Sequence, residues 1–418
     1  MKSQIKFPTL FVGAVIGICV LPFLLNLLGF DFASRKMSVN FDGAQDLLPH
    51  EAADYMFYAL SGSFTHTILE WSAFCVAIMT VAMSFTHFNI KRDATTPIIG
   101  VALFCAGCMD AFHTLAADRL INAIADNKNL IPFTWAICRL FNALILVVGI
   151  GILMAKGSKR ASLRFIIGVS MFFGLLAYVI IHFCATQAQL PNTMFPDSII
   201  TRPWDVGPLA IFIFAGIWVF PRFCRRESTL FSQSLFISMI PQIITQLHMA
   251  FGSTALFDNH FNIAHFLKIM AYVVPFVGLL LEYVHTYRAE QKLVENLEIS
   301  QKDLVKSETE IRLLVENVLD PIITIDEKGM IRKFNPAAQN LFLWREEDIL
   351  GKNVNVLMPE PYCSEHDQYI KKYLETGIPR VIGIGREVKG LRKNGTTFPL
   401  ELGINEMFVD GQRIFIGM

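Results

Sequence analysis

Charge is what this chain has least of. Only 17% of its 418 residues are Asp, Glu, Lys or Arg, while 53% are apolar, a balance far from that of an ordinary soluble protein. Neither sign is in excess, with 36 basic and 36 acidic residues, which argues against nucleic acid as a partner. The sequence contains no nucleotide-binding glycine box, no phospho-accepting helix motif and no GGDEF or EAL signature. No catalytic constellation therefore lies within these residues. Cysteine is sparse, at eight. Cys105 and Cys108 form a C-x-x-C that lacks the second pair a structural zinc site needs, and helix packing by small residues accounts for them.

The scarce charge is unevenly spread. The first 285 residues hold 18 Lys/Arg and 15 Asp/Glu, leaving 18 and 21 for the last 133. A membrane part followed by a soluble part is expected. Apolar runs long enough to span fall at 8–30, 64–88, 97–116, 132–155, 165–186, 207–222, 231–251 and 263–285. The 207–222 run is the shortest, with Pro221 as its expected end. Eight spans put both ends on one side, and loop charge says which. Lys2, Lys6, Lys91, Arg92, Lys156, Lys159, Arg160, Arg164, Arg222, Arg225 and Arg226 fall together. The opposite loops hold only Arg35, Lys36, Arg119, Lys128 and Arg202. The reading is a bacterial inner-membrane protein with a cytoplasmic N-terminus and a cytoplasmic soluble part. The first run has no small-residue cleavage site and reads as an uncleaved anchor.

Ionisable residues inside spans are costly and so are functional candidates. His66 and Glu70 lie in span two, Asp110 and His113 in span three, Arg139 in span four, His248 in span seven, and His265 and Lys268 in span eight. All eight belong to the outer half of the membrane under this topology, and the i,i+4 and i,i+3 spacings put each early pair on one face. The expectation is a polar pocket open to the periplasm that binds a metal ion or a small polar ligand. The alternative is that these groups pair with each other and lock the helices.

Past the last span, Leu293, Leu297, Ser300, Leu304, Ser307, Ile311, Leu314 and Val318 alternate four and three apart, the seam of a parallel dimeric coiled coil. Short strand patterns follow. Residues 320–334 read as two strands around a Glu327–Gly329 turn, and Asn335 with Pro336 opens a helix. Three more strands are expected at 379–390, 396–408 and 411–417, punctuated by Asn394-Gly395 and Asp410-Gly411. Between the groups lies "PEPYCSEHDQYIKKYLETG". Ser364 with Asp367 resembles a capping box, and Gly377 suits the end of the helix. His366, Tyr369, Ile370 and Tyr373 then share a face, so His366 aims inward as a satisfied core group or as a ligand. The whole is an α+β domain with a five-stranded antiparallel sheet and helices on one face.

These residues resemble a family. "NPAAQNLFLW", "ILGKNVNVLMPEPY", "HDQYIKKYLETG", "RVIGIGREVKGLRKNGTTFPLEL" and "INEM" are similar, in order and spacing, to the haem-binding PAS domains of the FixL-type oxygen sensors. The resemblance implies haem b with His366 as the iron ligand, and Arg386 of "GIGR" facing O2. It also implies Ile382, Leu402 and Ile404 as apolar walls, and Lys372 and Arg380 beside the haem propionates. More loosely, "MDAFHTLA" and "HFLKIMAYVVPFVGLLLEYVHTYR" resemble bacterial membrane-associated sensor domains of the MASE type. The expected organisation is a sensor bundle at 1–285, a coiled-coil linker at 286–315 and a PAS domain at 316–418. The implied function is a dimeric signal-transduction sensor feeding a histidine kinase, response regulator or cyclic-di-GMP output beyond residue 418. A ligand-free PAS relay and a transporter-like bundle with a regulatory PAS domain are the alternatives.

Overall fold

The computed structural model describes residues 7–34, 48–156, 162–379, 381–409 and 411–418. Arg380, Asp410 and the loop charges Lys2, Lys6, Arg35, Lys36, Lys159 and Arg160 lie outside the described residues. The chain divides into two compact units, Met1–Gln291 and Lys292–Met418.

Among the described residues, eight helices are long and apolar enough to cross a membrane: Thr9–Leu27, Ser61–Lys91, Thr95–Ala117, Asn127–Lys156, Leu163–Thr186, Pro203–Arg226, Leu230–Gly252 and Asn259–Asn317, the last of which begins in the first unit. All eight coincide with the expected spans. Their faces follow composition. The first and fifth are apolar all round and leave Phe23, Leu24, Met171, Leu175 and Val179 exposed, as suits a surface that meets lipid. The third is the most enclosed, burying Ile98, Ile99, Ala102, Leu103, Ala106 and Met109 against its neighbours.

Close approach is made by small residues, since apolar side chains gain little by leaving lipid for one another. A Cβ on Gly107 would sit 2.7 Å from that of Ala77. On Gly100 it would overlap the Ser84 hydroxyl, and on Gly278 that of Ser234. Pro221 does not end the sixth span. A π turn at Ala215–Val219 precedes it and the helix continues to Arg226. The wider turn re-routes the hydrogen bonds that a proline would otherwise break. A second π turn, His248–Gly252, closes the seventh span. One helix was not legible as an element, Pro49–Ala59, which leaves Met56, Phe57 and Tyr58 exposed.

The second unit carries strands β1 (Ile323–Asp326), β2 (Ile331–Phe334), β3 (Arg386–Leu391), β4 (Thr397–Leu402), β5 (Ile404–Val409) and β6 (Gln412–Gly417). They form an antiparallel four-stranded sheet in the order β2-β1-β6-β5 and a β3-β4 ribbon. The expected five strands become six among the described residues because the 396–408 run breaks at Gly403. Its first half pairs with β3 and its second with β6, while Gly403 itself exchanges both backbone bonds with Met418 at 2.9 Å. The expected 379–390 strand starts only at Arg386. Gly383, at φ +77°, turns the chain, and Ile382 makes a lone bridge to Ile404.

Asn335 is the N-cap expected of it. Its Oδ1 accepts from Ala338 N–H at 2.9 Å and from Ile322 N–H at 2.8 Å. Its Nδ2 donates to the carbonyls of Asp320 at 3.0 Å and Val315 at 3.3 Å. One side chain thus fastens β1, the next helix and the end of the long Asn259–Asn317 helix. The core beneath is Ile331, Phe334, Ala338, Phe342, Ile349 and Leu357.

Gly100→Val and Gly278→Val are each expected to lower the thermal midpoint of the detergent-solubilised chain, by a loss of about 1–3 kcal/mol. Gly17→Val, where nothing lies within 4 Å, should leave it unchanged. An unaltered midpoint in Gly278→Val would rule out the close crossing at Ser234.

Candidate functional site

Three helices of the membrane unit each turn an ionisable stripe to the same interior point. Glu70 comes from the second span, Asp110 from the third and Lys268 from the eighth, and all three are buried. The Lys268 ammonium bonds both oxygens of Glu70 and stands 3.3 Å from Asp110 Oδ1. Tyr272, one turn on, donates to Asp110 Oδ2 at 2.8 Å. Two carboxylates around one ammonium leave an excess of negative charge, which Arg139 moderates from the fourth span. Arg139 bonds Gln242 and Gln246 and lies over the rings of Trp135 and Phe212.

Beside this ion cluster sit three histidines, all fully buried. His66 and His113 bring their Nε2 atoms to 3.2 Å. His265 Nε2 is 3.2 Å from Glu70 Oε1, and His66 Nε2 is 4.0 Å from the same oxygen. One ligand atom from each of His66, Glu70, His113 and His265 falls within 4.8 Å of the others. His265 is pinned between Phe261 at 4.1 Å and Trp135 at 4.2 Å, measured between ring centroids. Six of the eight residues singled out in the spans therefore meet here, and Arg139 adjoins them. His248 lies apart, with its Nδ1 2.8 Å from that of His260. Trp135, Thr134, Tyr272, Gln242, Gln246 and Asp205 were missed as site residues. Asp205 accepts from Trp135 Nε1 at 3.0 Å. Neutral polar and aromatic groups at helical spacing look like packing until a partner is visible.

In the second unit, His366 stands on the helix Tyr362–Thr376. The helix begins at Tyr362, ahead of the expected cap, and Ser364 donates to Glu360 instead. Gly377 ends it at φ +65°, as expected. His366, Ile370 and Tyr373 are half-buried, but Tyr369 is 44% exposed and leaves the inner face. Tyr373 packs edge-on against Phe415 of β6 at 5.9 Å, which sets the helix against the sheet. The Nδ1 of His366 is buried with no hydrogen-bond partner. Burial pushes its pKa down while Asp367 pulls the other way, so the ring is neutral at pH 7 and able to ligate a metal. Arg386 pairs in register with Leu402 across the β3-β4 ribbon. Ile382, Leu402 and Ile404 are half-buried, whereas Arg386 and Lys372 are exposed. An unpartnered imidazole and an apolar strand end fit a haem group.

Residues 61–286, more than half of the chain, match the MASE3 membrane-associated sensor domain. Residues 309–418 match the PAS fold. The chain belongs to the MASE3 family and joins its membrane-associated sensor domain to a PAS domain. It is 48% identical over 110 residues to the sensor protein FixL of Bradyrhizobium diazoefficiens, a stretch that is 26% of this chain and 22% of that protein. It is 27% identical over 105 residues to the oxygen sensor protein DosP of Escherichia coli, covering 25% of this chain and 13% of that one. The chain thus spans less than a quarter of the length of either relative. A crystal structure of the PAS domain of an HTR-like protein from Haloarcula marismortui is 20% identical with a TM-score of 0.25, covering 29% of this chain and 95% of that one.

Removing one member of a buried ion cluster strands the others, at about 3–5 kcal/mol, whereas removing both partners costs far less. Lys268→Met should lower the unfolding midpoint strongly, because it leaves Glu70 and Asp110 without their cation, and adding Glu70→Gln should recover part of that loss. Glu70→Gln alone, which leaves Lys268 on Asp110, should cost less. Additive losses would mean that the two groups do not act as a pair.

Proposed function

We propose that this chain is the input part of a membrane signal-transduction sensor whose PAS domain senses oxygen through haem b held on His366. The observation that carries the reading is the 48% identity to FixL over 110 residues, supported by a buried His366 Nδ1 with no partner of its own. When bound, haem supplies an iron centre that takes a diatomic gas. The chain's residues do the rest. His366 would hold the iron through its imidazole. Ile382, Leu402 and Ile404 exclude water. Arg386 would supply a hydrogen-bond donor at the start of β3, and Lys372 and Arg380 would be the cations for the propionates. Because Arg386 opens the ribbon strand registered with Leu402, any pull on it acts on β4 and, past Gly403, on β5. The exposure of Arg386 and Lys372 favours a second reading, a ligand-free PAS domain that relays a signal sensed in the membrane.

The proposed organisation is a sensor bundle at 1–285, a linker at 286–315 and a PAS domain at 316–418. The loop-charge asymmetry supports a cytoplasmic PAS domain and N-terminus. The chain works as a parallel dimer. Leu293, Leu297, Leu304, Ile311 and Leu314 are 59–68% exposed along one heptad seam, an apolar stripe that a second copy covers. The helix that bears His265 and Lys268 runs on as one helix through that seam to Asn317, which gives the membrane site a mechanical route outward. The output is a downstream kinase, response regulator or cyclic-di-GMP module.

The purified chain, expressed with haem precursor, should show a Soret band that shifts under oxygen or carbon monoxide and is absent in His366→Ala of equal thermal stability. A folded, colourless wild type would sink the haem reading and leave the ligand-free relay. Separately, Leu304→Cys in a chain stripped of its native thiols should cross-link to a dimer in membranes, and Gln301→Cys, off the seam, should not. Equal cross-linking at both positions would disprove the parallel seam.

A further inference from the structure

The histidine cluster of the membrane unit has a proton arrangement that hydrogen bonding alone leaves incomplete. Thr134 has a single hydroxyl proton, which it donates to the Leu130 carbonyl at 2.6 Å. Its oxygen must therefore accept from His113 Nδ1 at 2.6 Å, and a neutral His113 is left with a bare Nε2. His265 Nδ1 lies 2.7 Å from the Phe261 carbonyl, which can only accept, so a neutral His265 also turns a bare Nε2 inward. That nitrogen has no hydrogen-bond partner and faces Glu70 Oε1 at 3.2 Å. A lone pair and a carboxylate oxygen at that distance repel unless a proton or a metal ion stands between them. His66 fills the one remaining gap. Its Nε2–H donates to His113 Nε2 at 3.2 Å, which leaves its own Nδ1 buried and unpartnered.

We propose that His66, His113, His265 and Glu70 form a tetrahedral site for a divalent transition-metal ion, zinc above all, inside the membrane sensor domain. This does not depend on the haem reading. Three imidazoles and a carboxylate are a donor set that zinc accepts readily. Two of the rings already have their second nitrogen fixed by an oxygen acceptor, the outer contact that orients metal-bound histidine. Around a zinc ion, ligand atoms stand about 3.3 Å apart. Two of the pairs here are already at 3.2 Å, and the widest separation is within 4.8 Å, so small side-chain shifts close the shell. His66 needs only to carry its proton on Nδ1 instead of Nε2, with no net proton change. The walls are aromatic: Phe261 stacks on His265, Trp135 lies tilted 4.2 Å from it, and Phe257 lies 6.0 Å from His66.

Lys268 is the competitor. Its ammonium holds Glu70 and neighbours Asp110, so it occupies the carboxylate that the metal needs. Loading the site transfers Glu70 from Lys268 to the ion and leaves Lys268 on Asp110. The metal then ties spans two, three and eight at one point, and Lys268 and His265 lie on the helix that continues to Asn317.

The test is metal counting on the tag-free, full-length chain in nanodiscs, incubated with Zn2+ and then desalted, with zinc and iron measured separately by mass spectrometry. The expected result is one zinc per chain, lost in His113→Asn and His265→Gln and retained in His248→Gln. Lys268→Met is expected to bind zinc at least about tenfold more tightly, because removal of a competing cation strengthens the site electrostatically. A merely structural lysine would give weaker binding or none. A wild type that retains no zinc overturns the proposal without reference to any variant. So does zinc retained equally by His113→Asn and His265→Gln, or zinc lost only in His248→Gln. Because iron is counted separately, a failed haem reading and a failed zinc site give different results.

Discussion

The membrane unit depends on the contact of Lys268 with Glu70 and Asp110. Three ionisable groups on three spans are each expensive in hydrocarbon, and they become tolerable only when they neutralise one another. That requirement fixes the rotation of the second, third and eighth helices about their own axes. Once those rotations are set, His66 shares the face of Glu70, His113 that of Asp110, and His265 that of Lys268. The histidines converge because their helices were already committed by charge. Small residues then make the convergence physically possible, as Gly107 against Ala77 and Gly100 against Ser84 let the second and third helices approach closely.

Much of this was legible in the sequence because membranes simplify the problem. The eight spans could be read from hydropathy alone, since every backbone polar group must be satisfied within its own helix. The polar cluster could be read because charge at that depth is rare, so Glu70, Asp110 and Lys268 stand out without any partner being known. What stayed hidden was neutral, apart from Asp205, which stands ahead of the expected sixth span, where a charge is ordinary. Thr134, Tyr272, Gln242 and Gln246 have no unusual address in a helix, and only the fold shows that they complete hydrogen bonds within the site. His248 shows the opposite limit. It had the same depth and chemistry as the others, yet it faces His260 because a π turn closes its span. Such a turn changes which face a residue presents, and helical spacing does not reveal it.

The soluble unit was read from punctuation. Asn335-Pro336, Asn394-Gly395 and Gly377 each did what their backbone preferences dictate. The misreadings share a cause as well. Gly383 and Gly403 sit in runs whose apolar alternation looks continuous, and each interrupts pairing without altering the pattern. The helix start moved for another reason. Ser364 had the right spacing to Asp367, but Ser364 bonds Glu360 and Asp367 accepts from Asn353 Nδ2 at 2.8 Å, so neither was available to cap.

The two candidate sites differ in how a ligand would act on them. In the PAS domain the imidazole of His366 waits without a partner, so occupancy adds an interaction where there was none. In the membrane the carboxylate of Glu70 is already held by Lys268, so occupancy exchanges one cation for another. An exchange of this kind is close to neutral in charge at the carboxylate and large in geometry, since a tetrahedral ion and an ammonium on a four-carbon stem draw Glu70 to different places. A ligand shifts an equilibrium only by its differential affinity for the two states, and that difference is built into the competition for one carboxylate. The helix on which the competitor sits carries the consequence, because Lys268 can release Glu70 only by settling on Asp110, on the third span.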